Sequence, residues 1–286
     1  MVVSHPIRQL RMQFGAFVCA CVVAACAGAS GHVAAPVQMA AGVPVRLPAE
    51  ERLRSNAGDI VLRPLAHASV RIEFGGRAIY VDPWTGADLP GAPNSDFVLV
   101  TDADAGAHHL DPAALQRVRR AGGTVVMPAS GRTKVPDGVV LENGATRRFG
   151  DVTVEAIAAY DLLPGEPFHA KGIANGYVLT LGGRRVLFAG VTECVPEIAA
   201  LRDIDVAFLP MNLPNGRMTP SAVAECVRSF SPKIVYPYHY DQGYIARLAG
   251  RGDPAGASVA AASVRTLAAA LQGVAEVREA NWYPGQ

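Results

Sequence analysis

Residues Phe97–Leu110 read FVLVTDADAGAHHL, and the order of residue types in this stretch decides the fold. A run of apolar residues, Phe97 to Val100, is the length of a short buried strand. Thr101 ends it, and Asp102, Asp104, His108 and His109 follow within eight residues. Asp111-Pro112 then supplies an N-cap and a first-turn proline, which starts a helix. Strand, ligand-rich loop and helix together place carboxylates and imidazoles at a strand end, where a metal-dependent active site can be built.

Working outward, the chain alternates strands and helices. Ile60–Leu65, Ser69–Phe74 and Ala78–Val81 read as strands, the last two joined at Gly75-Gly76. After the quoted stretch come a helix over Pro112–Ala121, a strand over Thr124–Met127, and a hairpin of Thr146–Phe149 with Val152–Ala156. The second half repeats the style. Gly176–Leu181 and Arg184–Ala189 pair across Gly182-Gly183. Pro196–Leu201 is a short helix, Val206–Leu209 a strand, Pro220–Phe230 a helix capped by Thr219, and Ile234–Tyr236 a strand. A helix over Ala257–Gln272 and a strand over Ala275–Arg278 close the chain. Two hairpin-rich halves predict two mixed sheets with helices outside them. With 286 residues, this suits one large domain or two tightly packed halves.

The first residues read as a targeting segment. Arg8 and Arg11 precede an apolar run, Phe14–Ala25, that is too short to span a bilayer. It ends Val23-Ala24-Ala25-Cys26, which resembles a bacterial lipobox and makes Cys26 the lipidated first residue of the mature chain. Cleavage near Ala27–Ser30 as an ordinary signal peptide is the alternative. The expected organisation is a signal peptide over 1–25, a lipid-anchored tether and irregular lead-in over 26–58, and a folded domain over 59–286. Cys194 and Cys226, the cysteines of the folded part, are read as two small buried residues rather than a disulfide. A net charge of +1 gives no electrostatic case for nucleic acid.

Several segments together resemble the metallo-β-lactamase fold superfamily, nearest its ascorbate-6-phosphate lactonase-like branch. They are His67-Ala68-Ser69, IEFGGRAIYVDPW (72–84), VLVTDADAGAHHLD (98–111), FHAKGIANGYVLTLGGRRVLFAGVTE (168–193), DIDVAFLPMNLP (203–214) with Met218-Thr219-Pro220, and KIVYPYHY (233–240). The resemblance implies an α/β fold, a four-layer αβ/βα sandwich of two mixed sheets with outer helices. It implies a cleft holding two metals, bound by a Thr-His-x-His-x-Asp-His loop, a mid-chain histidine, a bridging aspartate and a late histidine, and hydrolysing esters, lactones, amides or phosphodiesters.

Carried over residue by residue, the match is uneven. Thr101 aligns with the motif threonine, but Asp102 and Asp104 stand at its first two histidines. The loop is two residues longer than the family's, until His109-Leu110-Asp111 matches again and His108 falls at the motif aspartate. Val191 replaces the bridging aspartate, and an isopropyl group has no lone pair for a cation. His109 and His239 are the expected metal ligands, with His108, Asp161 and His169 as further donors, and His67 and Asp82 as residues supporting them. Asp102 and Asp104 either offer oxygen to a hard cation or stabilise a turn, and the turn is the preferred reading.

The implied protein is exported, anchored at the periplasmic face of the outer membrane, and carries an eroded dinuclear site with lost or much altered activity. Its cofactor is none or one divalent metal, zinc if present, and its ligand is small or lipid-like. The alternative is a single-metal hydrolase of an ester, lactone or phosphodiester. A third reading is metal-free acid/base hydrolysis by Asp102 or Asp104 with His108.

Overall fold

The alternation of apolar residues builds the first sheet of the sandwich. The computed structural model describes residues 45–46, 50–89, 95–103, 108–163 and 169–283. Cys26, the targeting segment and Asp104 lie outside them. Among the described residues the strands are β1 (Val45–Arg46), β2 (Glu51–Ser55), β3 (Gly58–Ala66), β4 (Ser69–Phe74), β5 (Arg77–Val81), β6 (Ser95–Leu99), β7 (Arg119–Met127) and β8 (Val139–Val140). They continue as β9 (Thr146–Phe149), β10 (Val152–Ala159), β11 (Ala174–Leu181), β12 (Arg184–Phe188), β13 (Val206–Pro210), β14 (Ile234–Tyr238) and β15 (Glu276–Glu279). The helices are α1 (Pro112–Val118), α2 (Pro196–Ala199), α3 (Pro220–Phe230), α4 (Tyr244–Leu248) and α5 (Gly256–Ala270).

One sheet runs β2-β3-β4-β5-β6-β7-β8 and the other β1-β15-β14-β13-β12-β11-β10-β9. Both are mixed. β2 to β5 and β9 to β12 are antiparallel meanders, and each continues into parallel strands, β5 to β8 and β12 to β15. This is the metallo-β-lactamase sandwich that the segments imply.

Period two sorts the side chains. Ile79, Val81, Phe97, Leu99 and Val126 join Val154, Tyr177, Val186 and Phe208 in the core between the sheets. Their neighbours Tyr80, Val98, Val100, Val125 and Met127 face the other way and bury Ala114, Leu115 and Val118 of α1. The hairpins turn where expected: Gly75-Gly76 and Gly182-Gly183 all hold φ between +52° and +82°, the left-handed region that tight hairpins demand.

Three expectations are corrected. The helix predicted to reach Ala121 stops at Val118, because Arg119 is already extended and pairs with Ser95. Gly122 and Gly123, poor helix formers, favour the same outcome. The region expected to be an irregular lead-in up to residue 58 contains β2, whose residues pair antiparallel with β3 from Glu51↔Leu62 to Ser55↔Gly58. Its polar alternation, ERLRS, is that of a half-buried edge strand. Finally, Cys194 and Cys226 form a disulfide, because the loop after β12 passes beside α3 and brings their Cα atoms to 5.6 Å. No helix among the described residues is long and apolar enough to cross a membrane.

Candidate metal centre

Strand ends deliver the polar residues. His67 follows β3, Asp82 follows β5, Thr101 and Asp102 follow β6, and His239 follows β14. His67, Asp82 and His239 have φ of +55°, +44° and +49°, a conformation that costs non-glycine residues energy and gathers at functional sites. The backbone holds them there. His67 N–H donates to the Trp282 carbonyl (2.9 Å), Asp82 N–H to that of Leu99 (2.9 Å), and His239 N–H to that of His67 (3.0 Å). The last bond ties the end of β3 in one sheet to the end of β14 in the other.

His108 and His109 lie just before α1. Asp111 fixes the helix start by accepting from Ala113 N–H (2.9 Å) and Ala114 N–H (3.1 Å) with one oxygen. Its other oxygen accepts from Thr85 N–H (2.8 Å) and the Thr85 hydroxyl (2.6 Å). The two histidines are thereby aimed into the cleft rather than along a free loop.

Four imidazoles converge. One ring nitrogen from each of His67, His108 and His239 lies within 4.8 Å of the other two. His109 Nε2 lies 3.3 Å from His239 Nε2. The edge of a tetrahedron with zinc–nitrogen bonds of about 2.0–2.1 Å is about 3.3–3.4 Å, so that spacing suits two ligands of one cation. The Nδ1 atom of His67 is buried without a hydrogen-bond partner, an arrangement a bound cation would relieve. Imidazole donors match zinc and its neighbours rather than magnesium or calcium. The residues present fit a metal.

Their electrostatics point the same way. Burial, reinforced by neighbouring imidazoles, holds His67 and His239 well below the ordinary histidine range. Burial and His109 push His108 down to about 3. All three are neutral at pH 7 and keep a lone pair. Burial alone would lower His109 as well. The Asp82 carboxylate, 2.7 Å from its Nδ1, overrides that and carries it above the usual value. Asp82 in turn accepts from Thr101 N–H (2.7 Å) and from the Thr101 hydroxyl. When the His109 ring is neutral, a carboxylate holding Nδ1–H leaves Nε2 bare, the arrangement that orients a metal-binding histidine.

The other expected donors go elsewhere. His169 Nε2 contacts Asp102 Oδ2 at 2.5 Å, with both side chains buried. Two atoms sharing one cation stand about 3 Å apart or more, so this is an imidazole–carboxylate pair and not a metal edge. Asp161 accepts from His169 N–H (3.1 Å) and is ion-paired with Arg217. Val191 is 6% exposed and belongs to the core between the sheets. Thus His108, His109 and His239 are brought together, and Asp102, His169 and Asp161 form a buried group beside them, with the Asp102 carboxylate near enough to act on His108 and His109. His67, expected to stand beside the ligands, lies among them. Its sequence signal was a histidine directly after a strand. Gln242, whose amide meets His239, gave no signal.

Residues 62–239 match the model of the beta-lactamase superfamily domain. The chain belongs to this superfamily. A UPF0173 metal-dependent hydrolase of Thermus thermophilus is 28% identical over 193 residues, covering 64% of this chain and 84% of the relative. One from Symbiobacterium thermophilum is 29% identical over 199 residues, covering 63% and 83%. Among solved structures, a candidate metal-dependent hydrolase from Parabacteroides distasonis superposes with a TM-score of 0.68 at 34% identity, covering 80% of this chain and 97% of that one. A metallo hydrolase from Ignicoccus hospitalis shares the fold, with a TM-score of 0.57 at 19% identity.

Proposed function

We propose that this beta-lactamase superfamily member is a single-metal hydrolase in which one of two ancestral metal positions has been replaced. The convergence of His67, His108 and His239 within 4.8 Å carries this reading. The four imidazoles are enough donors for one tetrahedral cation, and exchange of one of them for water would give the three-ligand set of catalytic zinc sites. A cation held there supplies Lewis acidity and makes water nucleophilic near neutral pH. The chain's own residues do the rest. Asp82 and Thr101 orient His109, and the bond between His239 N–H and the His67 carbonyl fixes the two strand ends against each other. At the other position, the Asp102–His169 contact and the buried Val191 replace ligands, which favours one cation over two.

The resemblance to the lactonase-like branch supports an ester, lactone or phosphodiester substrate, small or lipid-like. Assays over these three classes, with zinc added or chelated, test the reading. Activity that requires metal and vanishes in both His67→Ala and His239→Ala supports it; activity indifferent to chelation and to both substitutions contradicts it.

The positive n-region, the apolar run and the lipobox-like VAAC support an exported lipoprotein, and the Cys194–Cys226 disulfide suits an oxidising compartment. Mass spectrometry of the mature N-terminus tests it. A diacylglyceryl group on Cys26 supports the anchor, and an unmodified N-terminus beyond Cys26 excludes it.

A further inference from the structure

We propose that the mouth of the cleft is a docking surface for a phospholipid bilayer. The inference rests on the lipid-anchored reading of Cys26 and extends it to how the folded domain meets the membrane; it does not depend on catalysis. Among the described residues, the exposed large apolar side chains are Leu162, Leu163, Leu248, Val259 and Val274. Topology puts the first four at one end of the second sheet. β10 finishes at Ala159, paired with Ala174 at the start of β11, and β11 pairs Tyr177 with Phe188 at the end of β12. β12, β13 and β14 are parallel, so Ala159, Phe188 and Tyr238 finish at the same end, the one that carries His239. Leu162 and Leu163 come just after Ala159, and Leu248 closes α4, which follows Tyr238. Ala257 and Ser258 of α5 line a cavity with Tyr240 and Tyr283, so Val259 belongs to this end too. Val274 lies at the opposite end, just before β15, whose Glu276 pairs with Ile234 at the start of β14.

The leucine pair is held outward by its own backbone. Glu193 Oε2 accepts from Leu162 N–H (2.5 Å) and Leu163 N–H (2.9 Å). Thr192 Oγ1 accepts from Tyr160 N–H (3.0 Å), and Glu193 N–H donates to the Tyr160 carbonyl (3.1 Å). The next residue, Cys194, is bonded to Cys226 of α3. The leucine backbone is thereby tied to the sheet end while the residues stay 50% and 47% exposed.

These side chains surround the opening and do not form one patch. β10 and β14 are four strand steps apart, about 19 Å at about 4.8 Å per step. A bilayer is flat and apolar beneath its headgroups, so it receives separated side chains at once, whereas a protein partner would need a matching pocket for each. The preceding chain points to the same partner. Residues 27–44 separate the lipobox-like Cys26 from β1, a span of at most about 65 Å when extended. A tether of that length makes docking an intramolecular step, so a modest apolar contact suffices.

The test uses the full chain, processed and acylated, in vesicles of phosphatidylethanolamine and phosphatidylglycerol. A nitroxide is attached through Leu248→Cys or, at the opposite end, through Val274→Cys, and its access to an aqueous nickel chelate is measured with and without vesicles. Shielding at position 248 with an aqueous label at position 274 supports the proposal. An aqueous label at 248, or equal shielding at both positions, overturns it. The measurement at 248 is repeated with Leu162→Ser and Leu163→Ser. Together the two leucines expose about as much as one whole leucine, worth about 10–100-fold in an equilibrium. The docked-to-free ratio should therefore fall about tenfold or more, and no fall overturns the proposal. Shielding at 248 that grows with protein concentration without vesicles assigns the mouth to a second copy of the chain and also overturns it. If the mature chain carries no acyl group, the anchor reading fails, and flotation of that chain with the same vesicles decides the docking. Flotation lost on replacing both leucines by serine supports the proposal; no flotation, or flotation indifferent to that replacement, overturns it.

Discussion

Replacing Asp82 by Asn should weaken metal binding far more than its small change in shape suggests. The carboxylate is fully buried and accepts from Thr101 N–H, the Thr101 hydroxyl and His109 Nδ1. An amide has one accepting oxygen. With that oxygen kept on Thr101 N–H, its NH₂ group faces His109 Nδ1, which must then accept. The His109 proton moves to Nε2, and the lone pair aimed at His239 is lost. Loss of such an orienting partner costs about 10–100-fold in metal affinity, or about 1.4–2.8 kcal/mol. Stability should fall by only about 1–3 kcal/mol, since bonds to a charged acceptor are exchanged for weaker neutral ones. The lower end is favoured because burial already opposes the charge, pushing the Asp82 carboxyl above its usual range. Zinc competition and urea unfolding on the same preparation separate the two effects. An Asp82→Asn protein with wild-type zinc affinity and reduced stability would refute the tautomer argument and leave Asp82 a purely structural residue.

Other outcomes follow from the same geometry. Val191→Asp should not restore a second metal; it should cost about 3–5 kcal/mol on urea unfolding, as an unpaired charge placed in the core, with metal content unchanged. Asp111→Ala should cost about 1–2 kcal/mol through loss of the α1 cap. Burial raises the Asp111 carboxyl, but its bonds from Thr85, Ala114 and Ala113 together hold it below the usual value. Its contribution is therefore complete above the unfolded value, about 3.9, and is lost as pH falls through the lower folded one. The slope of stability against pH in acid should flatten in the variant. Replacing Cys194 and Cys226 by Ala should cost up to about 3–4 kcal/mol for a cross-link spanning 32 positions. Added reductant should remove that difference from wild type.

The fold was legible because its strands are short, apolar and punctuated by glycine pairs, and because Asp111-Pro112 announces a helix. β2 was not, since its Glu and Arg residues give an edge strand no apolar run to detect. The end of α1 depended on pairing between Arg119 and Ser95, which no local signal carries. At the site, His109 and His239 could be placed from their neighbours in the chain. The partners that define their chemistry could not. Asp82 meets His109 across 27 positions, His169 meets Asp102 from another sheet, and His67 joins the cluster only once the two strand ends are bonded. The disulfide likewise depends on a loop crossing α3.

The central claim is one metal position kept and one replaced. Anomalous diffraction at the zinc edge, from crystals of the full domain grown with excess zinc, tests it most directly. The account predicts one strong peak per chain, among His67, His108, His109 and His239, with none between Asp102 and His169. Two peaks, or one at Asp102 and His169 alone, would contradict it.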